Sequence, residues 1–305
     1  MRRASALLLG YGADLALADP PRLHPVAGFG RVAAAVERAA YAPTRARGAA
    51  VTAGLVAAAT AGAELLAATV SRPAARAAVT WTALGGRSLR REGRAVAELV
   101  AGDDLPGARR RLRSLCGRDA AALDAAGLRR AVIESLAENT SDAVVGTLLW
   151  GALLGPGGAA AHRAANTLDA MFGHHSDRYE AFGWASARLD DVMNWPVARL
   201  TALLAAALAP LAGGSSAGAV RAWRRDAAAH PSPNAGQVES AFAGALGVEL
   251  GGPLSYRGHV EHRPRLGVGG RAPDDADVRR AQRLSALVGA AAALLAAAVS
   301  EGVRR

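Results

Sequence analysis

The sequence has no lysine. All 36 of its basic residues are arginine, among 305 residues with a formal net charge of +10. The absence of lysine excludes a P-loop of the GxxxxGK[ST] type, so a nucleotide site must be built differently. With every basic position arginine, the bias matches GC-rich codon usage, and arginine in place of lysine carries no functional meaning by itself. Cysteine is almost missing as well. The single Cys116 rules out an intramolecular disulfide, a CxxC redox pair and a cysteine-based zinc site, and reads as a packing residue. Aromatic residues make up only 4%. Few β-branched and aromatic residues beside abundant alanine, leucine and arginine favour helix over sheet. A hydrophobic share of 51% excludes a disordered chain.

A sequence pI near 11.1 invites a nucleic-acid partner. The charge distribution argues against one. Residues 72–130 hold 13 arginines against 6 acidic residues, and 87–130 lacks the interleaved aromatics of a single-strand binder. Long apolar stretches flank this block, an asymmetry typical of the cytoplasmic side of a membrane protein.

Four stretches are candidate membrane spans: 50–71, 143–162, 197–213 and 284–299, with Pro156-Gly157-Gly158 placed to break 143–171 into a re-entrant pair. Two shorter ones, 4–18 and 74–86, carry Asp14 and Arg76. None is a long leucine-rich run, and Glu64 opposes the apolar gain of 50–71, so a soluble bundle fits the pattern too. The N-terminus mimics a signal peptide but lacks a small-x-small cleavage site, and is read as retained. The expected fold is all-α: a multi-pass membrane helical bundle, one domain over 1–305, with a basic cytoplasmic helical insertion at 87–142. Residues 214–234 and 251–277 read as loops around a helix at 235–247.

Polar residues collect in four blocks. The first runs from Asp19 to Arg31, where prolines around Arg22-Leu23-His24 fix an extended loop. In the second, Glu134, Glu138 and Asp142 recur every four residues on one helical face, with Asn139 and Ser141 between them. The stripe is either a solvated face or, since Ala143-Val144-Val145 follows at once, a carboxylate set for Mg²⁺. The third, 163–195, places Asn166 and Asp169 one turn apart, then a loop with His174, His175, Asp177, Arg178 and Tyr179, then Arg188, Asp190, Asp191 and Asn194 on a further helix. Adjacent carboxylates with an asparagine one turn on suit a hydrated Mg²⁺, and arginines grip phosphate bidentately. No third ligand at zinc spacing accompanies the histidine pair. The fourth block, 230–258, carries Asn234 as an N-cap, then Glu239, several glycines and Tyr256.

The runs DPPRLHPVAGFGR (19–31), ESLAENTSDAVVGTLLW (134–150), RAANTLDAMFGHHSDRYEAFGWASARLDDVMNWPVARLTAL (163–203) and HPSPNAGQVESAFAGALGVELGGPLSYRG (230–258) resemble the CobD/CbiB family. These are the adenosylcobinamide-phosphate synthases of the cobalamin (vitamin B12) pathway. The sequence departs from the family pattern after Gly173 and at Gln237-Val238. The resemblance implies an integral membrane ligase that amidates a side-chain carboxylate of adenosylcobyric acid with (R)-1-aminopropan-2-ol or its O-phosphate. It also implies ATP and Mg²⁺, a corrinoid substrate, a lipid membrane, and other late corrinoid-pathway enzymes as neighbours.

That chemistry assigns roles to the polar residues. A carboxylate is a poor electrophile and needs phosphoryl activation, with Mg²⁺ neutralising nucleotide charge. Asp142, Asp169, Asp190 and Asp191 are the metal candidates. Glu138 or His24 is the candidate base for the attacking amine, with Asp142 and Asp191 completing the catalytic set. Arg31, Arg178 and Arg188 are phosphate candidates. Asn139, Asn166, Tyr179, Asn194, Asn234, Glu239 and Tyr256 are substrate candidates. The four blocks are expected on the cytoplasmic face. The rival class is a non-catalytic membrane signalling or sensor protein of the AmpE-like kind, which has no reason to keep all four blocks.

Overall fold

The structure is a computed structural model. It describes all residues except 1–2, 21–23, 70–71, 257–258 and 303–305. In chain order the elements are α1 (Arg3–Leu17), α2 (Pro25–Ala40), α3 (Arg45–Thr69), α4 (Arg72–Ala83), α5 (Gly86–Ala101), α6 (Leu105–Leu112) and α7 (Ala125–Asn139). A π-helical segment, Thr140–Gly146, continues α7 into α8 (Thr147–Leu154). Then come α9 (Pro156–Phe172), α10 (Trp184–Leu208), α11 (Ser216–Asp226), α12 (Ala235–Leu246), the strands β1 (Leu250–Tyr256) and β2 (His259–Leu266), and α13 (Asp275–Gly302). Among the described residues the regular structure is helical, apart from that antiparallel hairpin and a bridge between Val248 and Arg271.

Among the described residues, three helical stretches are long and apolar enough to cross a membrane: Arg45–Thr69, Trp184–Ala212 and Asp275–Gly302. They contain most or all of three of the four expected spans. The fourth, 143–162, is not a single helix, and the break falls beside Pro156-Gly157-Gly158. It is divided among the π-helical segment, α8 and α9, and the chain breaks at Gly155, whose φ of 80° no side chain tolerates well. Pro156 then starts α9, where a missing N–H costs nothing.

The chain forms two compact units. The first comprises residues 1–85, 142–197 and 292–305. In it α1 packs on α4, and α3 runs along α9. Phe172 and Phe182 are buried with Leu168, Ala33 and Leu55, and Tyr41 and Tyr179 pack around them. Glu64, the acid that counted against a span at 50–71, is put to use here. Its Oε1 accepts from the Gly157 N–H at 2.8 Å, so the charge meets an orphan donor at the start of α9.

The second unit comprises 86–141 and 198–291. Leu89, Val96, Leu112, Leu128, Ile133 and Leu136 from α5, α6 and α7 share a core with Leu250 and Leu266. Cys116 is free and packs at the edge of that core. Two stretches read as loops are ordered elements. Ser215 accepts from Gly218 N and starts α11, so the Gly-Ser run marks a cap rather than a loop. The hairpin fills 250–266, paired at Leu250 with Leu266, and its register shifts between Gly251 and Gly252, both at positive φ.

Candidate active site

Each unit gathers its own polar cluster. In the first, α9 and the start of α10 face the π-helical segment through a chain of hydrogen bonds. Asn166 Nδ2 donates to Asp142 Oδ2 at 3.2 Å and to Asp190 Oδ1 at 3.4 Å. Asn194 Nδ2 donates to the same Asp190 oxygen at 2.9 Å. His162 Nε2 lies 2.8 Å from Asn194 Oδ1. Because Asn194 spends its amide on Asp190, its carbonyl accepts from His162, which fixes the proton on Nε2. Arg163 donates to Asn166 Oδ1 at 3.1 Å and is attracted to Asp142, Asp19 and Asp190. Asp142 and Asp190 both accept from Asn166 Nδ2, which brings these two carboxylates together. Asp190 and Asn194 are buried, and Asp191 is half-buried beside Arg188 at 3.9 Å.

This set of donors fits Mg²⁺ and not zinc. Among the described residues no group of three or more His, Cys, Asp or Glu side chains is arranged to hold a metal ion. Mg²⁺ needs no such cage, since it keeps several waters and takes one or two carboxylates plus substrate phosphates. Neighbouring carboxylates held in place by asparagine amides meet that requirement.

The second cluster lies on α7, α12 and the hairpin. Glu134 is buried and bound from two sides: Arg118 Nη1 donates to Oε2 at 2.6 Å, and Gly251 N to Oε1 at 2.7 Å. Glu239 is buried, and loss of solvent lifts its carboxyl well above the usual range, with Glu134 and Glu138 adding repulsion. Glu138 keeps an exposed surface. Desolvation by the surrounding protein nevertheless raises its carboxyl, assisted by Glu134 and opposed by Arg263 and Arg118. Burial holds the His230 imidazole down to about 4, and Arg263 pushes the same way. The second block of the sequence is thus shared out. Glu134, Glu138 and Asn139 belong to one unit and Asp142 to the other.

A pH dependence follows for His230. Its value in the folded protein lies below the ordinary 6.5, so its contribution to stability is complete above that value and is lost as pH falls toward 4. Thermal unfolding between pH 7 and 4 is expected to show about 3 kcal/mol of acid destabilisation from this group. His230→Gln should remove that part, and an unchanged acid slope would refute the assignment.

The remaining expected residues are placed as follows. His24 caps α2, its Nδ1 accepting from Val26 N at 3.1 Å, so its proton sits on Nε2, 3.6 Å from Asp19. A histidine so held donates rather than abstracts. Arg31 is exposed on α2. Arg178 gives two hydrogen bonds to Glu37 and lies 4.0 Å over the Tyr41 ring, and Tyr179 packs against Phe172. Asn139 Nδ2 turns back to the Ser135 carbonyl. Asn234 stands at the N-cap position but makes no capping bond. Ser232 Oγ accepts from the Asn234 and Ala235 N–H groups instead, and Asn234 Oδ1 accepts from Arg199. The Tyr256 side chain and Arg22 lie outside the described residues. Reading the sequence missed Arg118, His162, Arg163 and Arg263. No local spacing ties Arg118 to Glu134 or His162 to Asn194.

A model of the family described as CobD/CbiB protein matches residues 7–285. The chain belongs to the CobD/CbiB family. The cobalamin biosynthesis protein CobD of Mycobacterium tuberculosis H37Rv is 53% identical over 301 residues, covering 96% of this chain and 95% of that protein. The protein of that name from Chromobacterium violaceum is 46% identical, covering 92% and 89%, and that from Rhodobacter capsulatus 42%, covering 90% and 89%. No solved structure matches the chain.

Proposed function

We propose that this CobD/CbiB-family protein is the membrane ligase that converts adenosylcobyric acid to adenosylcobinamide or its phosphate. It would join a side-chain carboxylate to (R)-1-aminopropan-2-ol or its O-phosphate. The observation that carries the reading is the near full-length similarity to proteins named for cobalamin biosynthesis. The three candidate spans support placement in a membrane, taken here as the cytoplasmic membrane with the catalytic residues on the cytoplasmic side.

Bound ATP with Mg²⁺ would supply the phosphoryl activation that makes the carboxylate an electrophile. The amine nitrogen then forms the C–N bond, the activated oxygen leaves with its phosphoryl group, and one proton leaves the nitrogen. Asp142 and Asp190, with Asp169 and Asp191 as further candidates, would hold the metal, and Asn166 and Asn194 fix the Asp190 carboxylate. Glu138 takes the amine proton, since its raised carboxyl is the stronger base once ionised. His24 is the weaker candidate for that task, with its acceptor nitrogen already engaged.

Asp190→Asn and Asp191→Asn, made singly, test the metal role. The Mg²⁺ concentration for half-maximal amidation is expected to rise about 10- to 100-fold for Asp190→Asn and less for the half-buried Asp191→Asn. Wild-type activity and wild-type Mg²⁺ dependence in both variants would contradict it.

A further inference from the structure

Helices α5 and α13, within the second unit, line a cleft of about 610 Å³. Arg90 and Arg94 line it from α5, and Arg279 and Arg283 from α13. Each pair is spaced i,i+4, so the two arginines of a pair share a helix face and repel one another. Arg94, Arg279 and Arg283 are exposed and Arg90 is half-buried. No described residue gives any of the four guanidinium groups an ion pair or hydrogen bond. The cleft holds two acids. Asp275 is already taken by Arg129, at 2.6 and 3.1 Å. Glu98 alone is left to offset four positive charges.

The position of the cleft along α13 narrows what neutralises it. The apolar run of α13 starts at Leu284, immediately after Arg283, and α13 is one of the three helices able to cross a membrane. A basic cleft at the foot of such a helix stands at headgroup level. Arginine binds phosphate oxygens bidentately, and arginine pairs from two helices lining one cleft can meet both non-bridging oxygens of a phosphodiester. Ala286 on α13, with Ala97 and Ala101 on α5, supplies a small apolar wall.

We propose that the α5–α13 cleft is a binding site for the phosphate of an anionic phospholipid. The chemistry it recognises, a phosphate ester, is shared with soluble phosphates, and the test separates the two. Full-length protein in neutral detergent is titrated with dimyristoylphosphatidylglycerol, with dimyristoylphosphatidylcholine, with inorganic phosphate or with ATP, and thermal stability is followed.

Phosphatidylglycerol is expected to raise the melting temperature by several degrees and phosphatidylcholine and inorganic phosphate not to, while any ATP response, which the proposed active site gives by itself, is expected to be the same in the cleft variants. In Arg90→Gln/Arg94→Gln/Arg279→Gln/Arg283→Gln the half-saturating phosphatidylglycerol concentration should rise at least tenfold. A control with the exposed Arg110, Arg113, Arg221 and Arg224 changed to Gln keeps the overall charge loss equal and should retain the response. The milder Arg94→Gln/Arg283→Gln, both exposed positions, serves if the fourfold variant does not fold, with a rise of at least threefold expected. An equal response to inorganic phosphate, or an ATP response lost in the cleft variants, would overturn the lipid assignment. An undiminished response in the cleft variants, or an equal loss in the control, would overturn the site.

Discussion

Glu138→Gln is expected to slow amide formation about 100-fold or more while leaving the protein folded and its Mg²⁺ requirement unchanged, the range lost when a positioned general base is removed. The group must be ionised to accept the amine proton. Since its carboxyl is raised, mainly by desolvation, activity falls as pH drops through a value above the ordinary carboxylate range. The wild-type enzyme should therefore show an acid limb in its pH profile, and Glu138→Gln should lose it. Arg263 and Arg118 favour the ionised form, so Arg263→Gln should move the limb to higher pH without abolishing it. Steady-state rates of adenosylcobyric acid amidation across pH 5–9 check all three expectations. A variant with the wild-type rate and limb would remove Glu138 from the reaction.

Arg118→Met is expected to be the most destabilising single change in the second unit. The two side chains of the Arg118–Glu134 pair are only 7% and 3% exposed, so the methionine leaves a carboxylate buried without its countercharge. Breaking such a pair from one side costs about 3–5 kcal/mol, although the intact pair adds little net stability over well-packed apolar groups. The double change Arg118→Met/Glu134→Gln should regain most of that loss. It removes the charge and keeps an oxygen to accept from Gly251 N, which Glu134 now does at 2.7 Å. Thermal or denaturant unfolding of the three proteins decides. Equal losses in the single and double variants would show that the pair is not the cause.

Helix content, the polar blocks and the family were legible in the sequence, because periodicity and short motifs are local properties. Three of the four expected spans lie mostly or wholly in long apolar helices for the same reason. Hydropathy marks the fourth as one run because it is insensitive to backbone breaks, which Pro156-Gly157-Gly158 signals instead. Residues 143–162 are apolar enough, but Gly155 and the π-helical turn divide them. The hairpin at 250–266 was hidden by Gly, Pro and Arg, residues that suggest a loop when the strand register contains a bulge.

In the candidate site, the carboxylates were found from their spacing, but what holds them was not. The chain His162–Asn194–Asp190–Asn166–Asp142 joins residues up to 52 positions apart. The Arg118–Glu134 pair depends on how a turn folds back onto α7. Arg178 shows the opposite limit. The residue type suited phosphate, yet its guanidinium is engaged by Glu37 and the Tyr41 ring.

The most direct measurement is reconstitution. Purified full-length protein in nanodiscs is supplied with adenosylcobyric acid, ATP, Mg²⁺ and either (R)-1-aminopropan-2-ol or its O-phosphate, and the corrinoid is followed by mass spectrometry. Gain of one amide-linked aminopropanol unit, dependent on both ATP and Mg²⁺ and strongly reduced in Glu138→Gln, is the expected result. A folded, membrane-embedded protein that forms no amide with either amine, under conditions where a relative of established activity does, would contradict the proposed function.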